Sequence, residues 1–195
     1  MYELKAREYA DSCFSGKRWG GNPLLIVVDA ALTSTGLKYF TVVVPRVKEF
    51  DEKFENLSFG EFSKISHHNP QLLRIFNNPR AWSVAVDLCK HFHGRDDFQS
   101  LKEWAVKADY KKYKEDPVGK IPGIGLNTFQ YLRMQVGVDA TMPDRIIWKS
   151  VEKKLGKKID NIIGLIQECE KLSRKMGISQ IELCWRIWLE ESDKE

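Results

Sequence analysis

Residues 119–147, GKIPGIGLNTFQYLRMQVGVDATMPDRII, hold two short Gly- or Pro-bounded peptides, each placed where a helical pattern begins. A chain that must turn tightly, run as a helix, turn again and run as a second helix is compatible with few architectures. The first peptide is Pro122-Gly123-Ile124-Gly125. Its glycines carry no side chain, so backbone N–H groups in such a hairpin can approach a phosphate closely. The second is Met142-Pro143-Asp144-Arg145, which puts a carboxylate at a helix start.

The rest of the chain reads as nearly all helix. Leu24 to Leu32 and Leu37 to Phe50 are apolar enough to be core elements. The second contains the β-branched run Phe40 to Val44, read as helix because no partner strand is evident elsewhere; Pro45 is expected to kink or break it. Ser58 to Ile65 opens with a capping box, Ser58 with Glu61. Asn77-Asn78-Pro79 is a turn, and Ala81 to His91 a largely buried helix. Ser100 to Ala108 is a further helix, and Lys111 to Pro117 a polar linker. Apolar positions Phe129, Leu132 and Val136 form one stripe of a helix over Gly125 to Val136. Helices over Pro143 to Leu155, Ile159 to Met176 and Ser179 to Glu190 complete the chain, the last two separated by Gly177. No internal repeat is present.

A chain of 195 residues with 43% hydrophobic and 30% charged content is expected to form one domain. No apolar run approaches the roughly 18 residues of a membrane span, and the N-terminal segment has no apolar centre, so a cytoplasmic protein without membrane association is expected. The four cysteines, Cys13, Cys89, Cys169 and Cys184, are scattered and read as buried free thiols. The net charge is +4, and six basic residues stand against one acid between Arg145 and Lys158. Positive charge is thus concentrated beside Asp144, as binding to a phosphate backbone requires. The alternative is an ordinary solvated helix face.

Each candidate group has a plainer structural role beside its functional one. The glycines of Lys120 to Gly125 could serve only a helix connection. Asp144 could complete a capping box opened by Thr141. Trp185, Trp188 and Leu189 sit at helical spacing and read as a docking face for the last helix. His91, His93 and Asp96 match no zinc pattern, so no metal site is assigned.

Ile121-Pro122-Gly123-Ile124-Gly125, then Thr128, then Pro143-Asp144, resembles the helix-hairpin-helix, Gly/Pro-rich, Asp superfamily of DNA glycosylases, of which endonuclease III is a member. The match covers about thirty residues. The resemblance implies an all-α, two-lobed helical glycosylase fold with a helix-hairpin-helix motif, residues about 30–140 forming one lobe and the N-terminal segment with about 143–195 the other. It implies a partner, double-stranded DNA containing a damaged or mismatched base, bound by a monomer without cofactors. Asp144 would be the catalytic acid facing the sugar of an extruded nucleotide, where base loss develops positive charge. Gly123, Ile124, Gly125, Asn127 and Thr128 would bind DNA at the hairpin, with Arg145, Lys149 and Lys153 adding contacts. Family members that also cut the strand carry a lysine where this chain has Asn127, so the resemblance is to the monofunctional branch, with water as nucleophile. Two rival expectations remain: a non-catalytic DNA-binding protein, and a glycosylase/lyase using Lys120. The four clustered cysteines of the iron–sulfur members are absent, so no cluster is expected. The gap-filling side chain would come from the loop Ala31 to Gly36, where Thr35 matches best, although these also read as ordinary turn residues.

Overall fold

Three Asn-Pro dipeptides start helices by one device. Asn22, Asn69 and Asn78 each accept hydrogen bonds from two N–H groups of the turn that follows, while the proline occupies a first-turn position that has no N–H to lose. The helices so begun are α2 (Pro23–Thr33), α5 (Pro70–Ile75) and α6 (Pro79–Phe92). The computed structural model describes residues 2–192. Its other helices are α1 (Tyr2–Phe14), α3 (Val44–Lys53), α4 (Phe59–Phe62), α7 (Asp97–Lys107), α8 (Leu126–Gln135), α9 (Arg145–Leu155), α10 (Ile162–Met176) and α11 (Gln180–Ser192). Among the described residues there is no strand, so the chain is all-α.

Every helix expected from the sequence is present, with shifted ends. The capping box at Ser58 forms in full, but α4 is only one turn long. The β-branched run is helical: Tyr39–Val43 makes a π-helical turn that leads directly into α3. Pro45 stands where the π-helical turn gives way to α3, in the first turn of that helix, and helical backbone runs on across it from Tyr39 to Lys53. Helices α1 and α5 carry too little apolar periodicity to stand out in the sequence.

Helix α2 is the hub. Leu24 to Leu32 are all buried, as an all-round apolar helix must be. It packs on α6, α8 and α3, while α1, α9 and α10 gather on α11. All four cysteines are buried free thiols.

One residue of α2 is charged. Asp29 is fully buried and accepts hydrogen bonds from Trp19 Nε1 at 2.7 Å, Tyr39 Oη at 3.0 Å, Gln135 Nε2 at 3.1 Å and Tyr131 Oη at 3.2 Å. Thr33 Oγ1 reaches its other oxygen at 3.1 Å, and the Arg18 guanidinium stands 3.5 Å away. Arg18 in turn donates to Gln135 Oε1 at 2.9 Å and to Tyr39 Oη, with its guanidinium against the rings of Tyr9, Trp19 and Trp185. The 3-10 turn Arg18–Gly21 that supplies both Arg18 and Trp19 places Trp19 in the left-handed region (φ 53°). The bonds made by these two side chains offset a backbone cost of about 1–2 kcal/mol. Burial pushes the Asp29 carboxyl up from its ordinary value of 3.8, against the pull of Arg18.

Removing one member of a buried ion pair strands the other. Asp29→Ala is expected to destabilise the chain by about 3–5 kcal/mol, and Arg18→Met/Asp29→Leu together by much less. Denaturant midpoints of the parent and the two variants check this.

Candidate nucleic-acid interface

The hairpin is built from overlapping turns. Lys120 N–H donates to Asp116 O at 3.1 Å, Ile121 N–H to Val118 O at 3.1 Å, and Ile124 N–H to Ile121 O at 3.0 Å. The Asp116 carboxylate anchors the approach, accepting from Trp104 Nε1 of α7 at 3.1 Å and from Val118 N–H at 2.8 Å. Three glycines serve different ends. At Gly119 a Cβ would lie 1.7 Å from Tyr113 O, so only glycine fits. Gly123 has φ +99°, and a Cβ there would strike Val84 at 2.7 Å. Gly125 is exposed, extended backbone whose Cβ position faces open space, and it forms the N-cap of α8 with no side-chain cap hydrogen bond. The hairpin enters a regular helix on its C-terminal side only. Helix α7 ends at Lys107, and the segment between is turns and a short 3-10 piece, Tyr110–Lys112.

The expected DNA contacts fall into two groups. Gly123 and Gly125 are exposed and Asn127 is half-buried. Ile124 and Thr128 are buried, and both pack inward. Lys120, before the turn, is exposed. In the loop after α2, Thr35 Oγ1 donates to Leu32 O at 2.6 Å and Ser34 Oγ to Ala31 O at 2.6 Å, as turn residues do.

Asp144 is held in a different setting. The segment before it is clamped to both neighbours: Gln130 of α8 donates to Thr141 O at 3.2 Å, Thr141 Oγ1 to Gln180 Oε1 of α11 at 2.9 Å, and Ile181 N–H to Asp139 Oδ1 at 3.2 Å. Thr141 is therefore a buried strut and no helix cap. Asp144 itself is the N-cap, and α9 starts at Arg145, two residues later than expected. Asp144 Oδ1 accepts from Ile147 N–H at 2.8 Å. Its Oδ2 accepts from Trp188 Nε1 of α11 at 2.8 Å. Burial pushes this carboxyl up from the ordinary 3.8, and these two bonds oppose the push.

Trp188 was legible in the sequence only as a packing residue. A buried indole must place its single N–H, and that need was the available signal. On α9, Arg145, Lys149 and Lys153 are exposed. Lys149 and Lys153, with Glu152, Lys157 and Lys158, line an open depression of about 380 Å³ beside Gly156. Its acid is already engaged, since Glu152 accepts from Lys158 Nζ and from Ile159 N–H, both at 3.0 Å. A second depression of about 210 Å³ lies between Arg133, Glu170 and Gln180. Asp144 lines neither of these depressions. Among the described residues, no three His, Cys, Asp or Glu side chains converge as metal ligands, and no helix is long and apolar enough to cross a membrane.

No protein-family model, curated protein or solved structure matches this chain.

The raised Asp144 carboxyl has a measurable sign. A group whose pKa is higher in the folded state contributes stability that is complete below the unfolded value and is lost as pH rises through the folded one. Relative to Asp144→Asn, the parent is therefore expected to lose stability as pH climbs from about 4. A cap whose bonds to the charged form dominated would show the reverse. Denaturant midpoints of parent and variant across pH decide between them.

Proposed function

We propose that this chain is a monofunctional DNA N-glycosylase that binds duplex DNA, extrudes a damaged or mismatched base and hydrolyses its N-glycosidic bond. The observation that carries this reading is Asp144. It is a mostly desolvated carboxylate at a helix start, with one N–H on each oxygen and proton affinity raised by burial. A helix cap needs an acceptor but no desolvated charge, and asparagine caps as well as aspartate. A carboxylate kept in such surroundings suits stabilisation of a cationic sugar, with uptake of a proton from water.

In this reaction the C–N bond breaks and its electron pair leaves with the base. The oxygen of water bonds to the anomeric carbon and one water proton passes to Asp144, which returns it to solvent, while the departing nitrogen takes up a proton from solvent, so that one water is consumed. The exposed Gly125, at the positive end of α8 and without a side-chain cap, suits a single phosphate, independent of sequence. Arg145, Lys149 and Lys153 extend positive charge along α9. Asn127 supplies no amine for a covalent adduct, which supports the monofunctional form. The chain would act as a monomer, without cofactor.

One observation favours a second reading, a DNA-binding protein without chemistry. Both Asp144 oxygens are occupied, and neither of the two depressions described above is lined by this residue.

A panel of duplexes carrying modified or mispaired bases separates the readings. Breaks that need alkali indicate the monofunctional enzyme, and breaks without alkali a lyase. Binding without breaks on any duplex indicates the second reading. On a cleaved duplex, Asp144→Asn is expected to lower turnover by about 10²-fold or more while DNA binding persists. Gly125→Ala tests the phosphate contact separately. Its Cβ meets open space and its backbone is ordinary, so stability should change by under about 1 kcal/mol while DNA affinity falls. Gly123→Ala offers no such separation, because it meets Val84.

A further inference from the structure

We propose that Trp188 is the positioning residue for Asp144, holding the second carboxylate oxygen through its indole N–H and so making α11 part of the site. The proposal rests on the glycosylase reading of Asp144.

The geometry separates this role from helix capping. Capping of α9 falls to Oδ1, which takes Ile147 N–H at 2.8 Å. The Trp188 Nε1 bond to Oδ2, also 2.8 Å, adds nothing to the cap. It crosses from one helix to another, between residues 44 apart in sequence, and fixes the carboxylate plane that the cap alone would leave free to rotate. An indole N–H is a single donor without acceptor capacity, so it favours the ionised carboxylate over the neutral acid.

The indole is itself fixed from behind. Trp188 meets the ring of Trp185 edge-on, with centroids 5.0 Å apart, and the ring of Tyr131 edge-on at 6.1 Å. Tyr131 is bound through its hydroxyl to Asp29, and Trp185 is stacked on Tyr9 at 4.4 Å. The charged cluster at the hub thus sets the ring whose N–H sets Asp144. Two thiols also face Asp144, Cys169 from α10 and Cys184 from α11. Burial pushes the first up to about 12 and the second well above its ordinary value, so both stay neutral over the working pH range. Arg145, next in the chain, is exposed.

Trp188→Phe keeps a large ring and deletes the donor. In the full chain, carbon-13 NMR of the Asp144 carboxyl should show a titration moved to higher pH than in the parent. With a duplex that the parent cleaves, the acidic limb of the rate profile should move the same way. Turnover should fall about 10-fold with KM for DNA unchanged, equal to about 1.4 kcal/mol of barrier. A second measurement needs no variant at this position: the Trp188 indole N–H resonance of the parent should titrate with Asp144, and that titration should vanish in Asp144→Asn. An Asp144 titration unmoved by Trp188→Phe, or an indole resonance indifferent to pH, overturns the proposal. A parent that releases no base from any duplex overturns the glycosylase reading, and with it a role for Trp188 in that reaction, even where the two side chains titrate together.

Discussion

A carboxylate at the centre of an apolar helix is the constraint to which the rest of the molecule answers. Asp29 sits in α2 with no exposure to solvent, among leucines, valines and alanines. A charge there is tolerable only if every lone pair is met. Meeting them draws Arg18 and Trp19 from the 3-10 turn, Tyr39 from the π-helical turn and Tyr131 and Gln135 from α8 onto one point. Two irregular pieces of backbone coincide with this demand: Trp19 in a left-handed conformation, and a π-helical turn beginning at Tyr39. Strain and irregularity of this kind persist where surrounding contacts over-determine them.

The same cluster bears on the candidate site through rings. Tyr131 faces both Asp29, by its hydroxyl, and Trp188, by its ring. Trp188 carries the interaction outward to Asp144. A buried acid on α2 and a half-buried one at the head of α9 are therefore joined by two aromatic side chains. Burial raises both carboxyls, but their surroundings differ. Asp29 has a guanidinium beside it and several neutral donors, the pattern of a sealed structural pair. Asp144 is held by neutral N–H donors, with two neutral thiols nearby and an exposed basic helix leading away from it.

The hairpin shows how far residue types alone carry a reading. Its glycines are where the turn requires them, and Gly125 heads α8 without a side-chain cap. Two details stayed hidden until side chains were placed. Thr128 turns inward although it sits beside polar residues, because α8 is buried on most of its circumference. Gly119, which drew no notice in the sequence, lies against Tyr113 O so closely that no other residue fits. Both depend on what packs alongside, which no local pattern encodes.

Most of the helices and the capping box at Ser58 were legible in the amino-acid sequence, because they depend on contacts within about four residues, whereas α1, α5 and the Asn caps before proline were not read there. The acid at the start of α9 was legible too, although the capping residue proved to be Asp144 itself, since Thr141 is drawn away to Gln180. The partners of buried charge belonged to the tertiary structure alone. Asp29 meets Tyr131 and Gln135 across more than a hundred residues, and Asp144 meets Trp188 across 44. A desolvated carboxylate takes whichever donors the packing of distant helices brings within reach, and that choice is made by the fold as a whole.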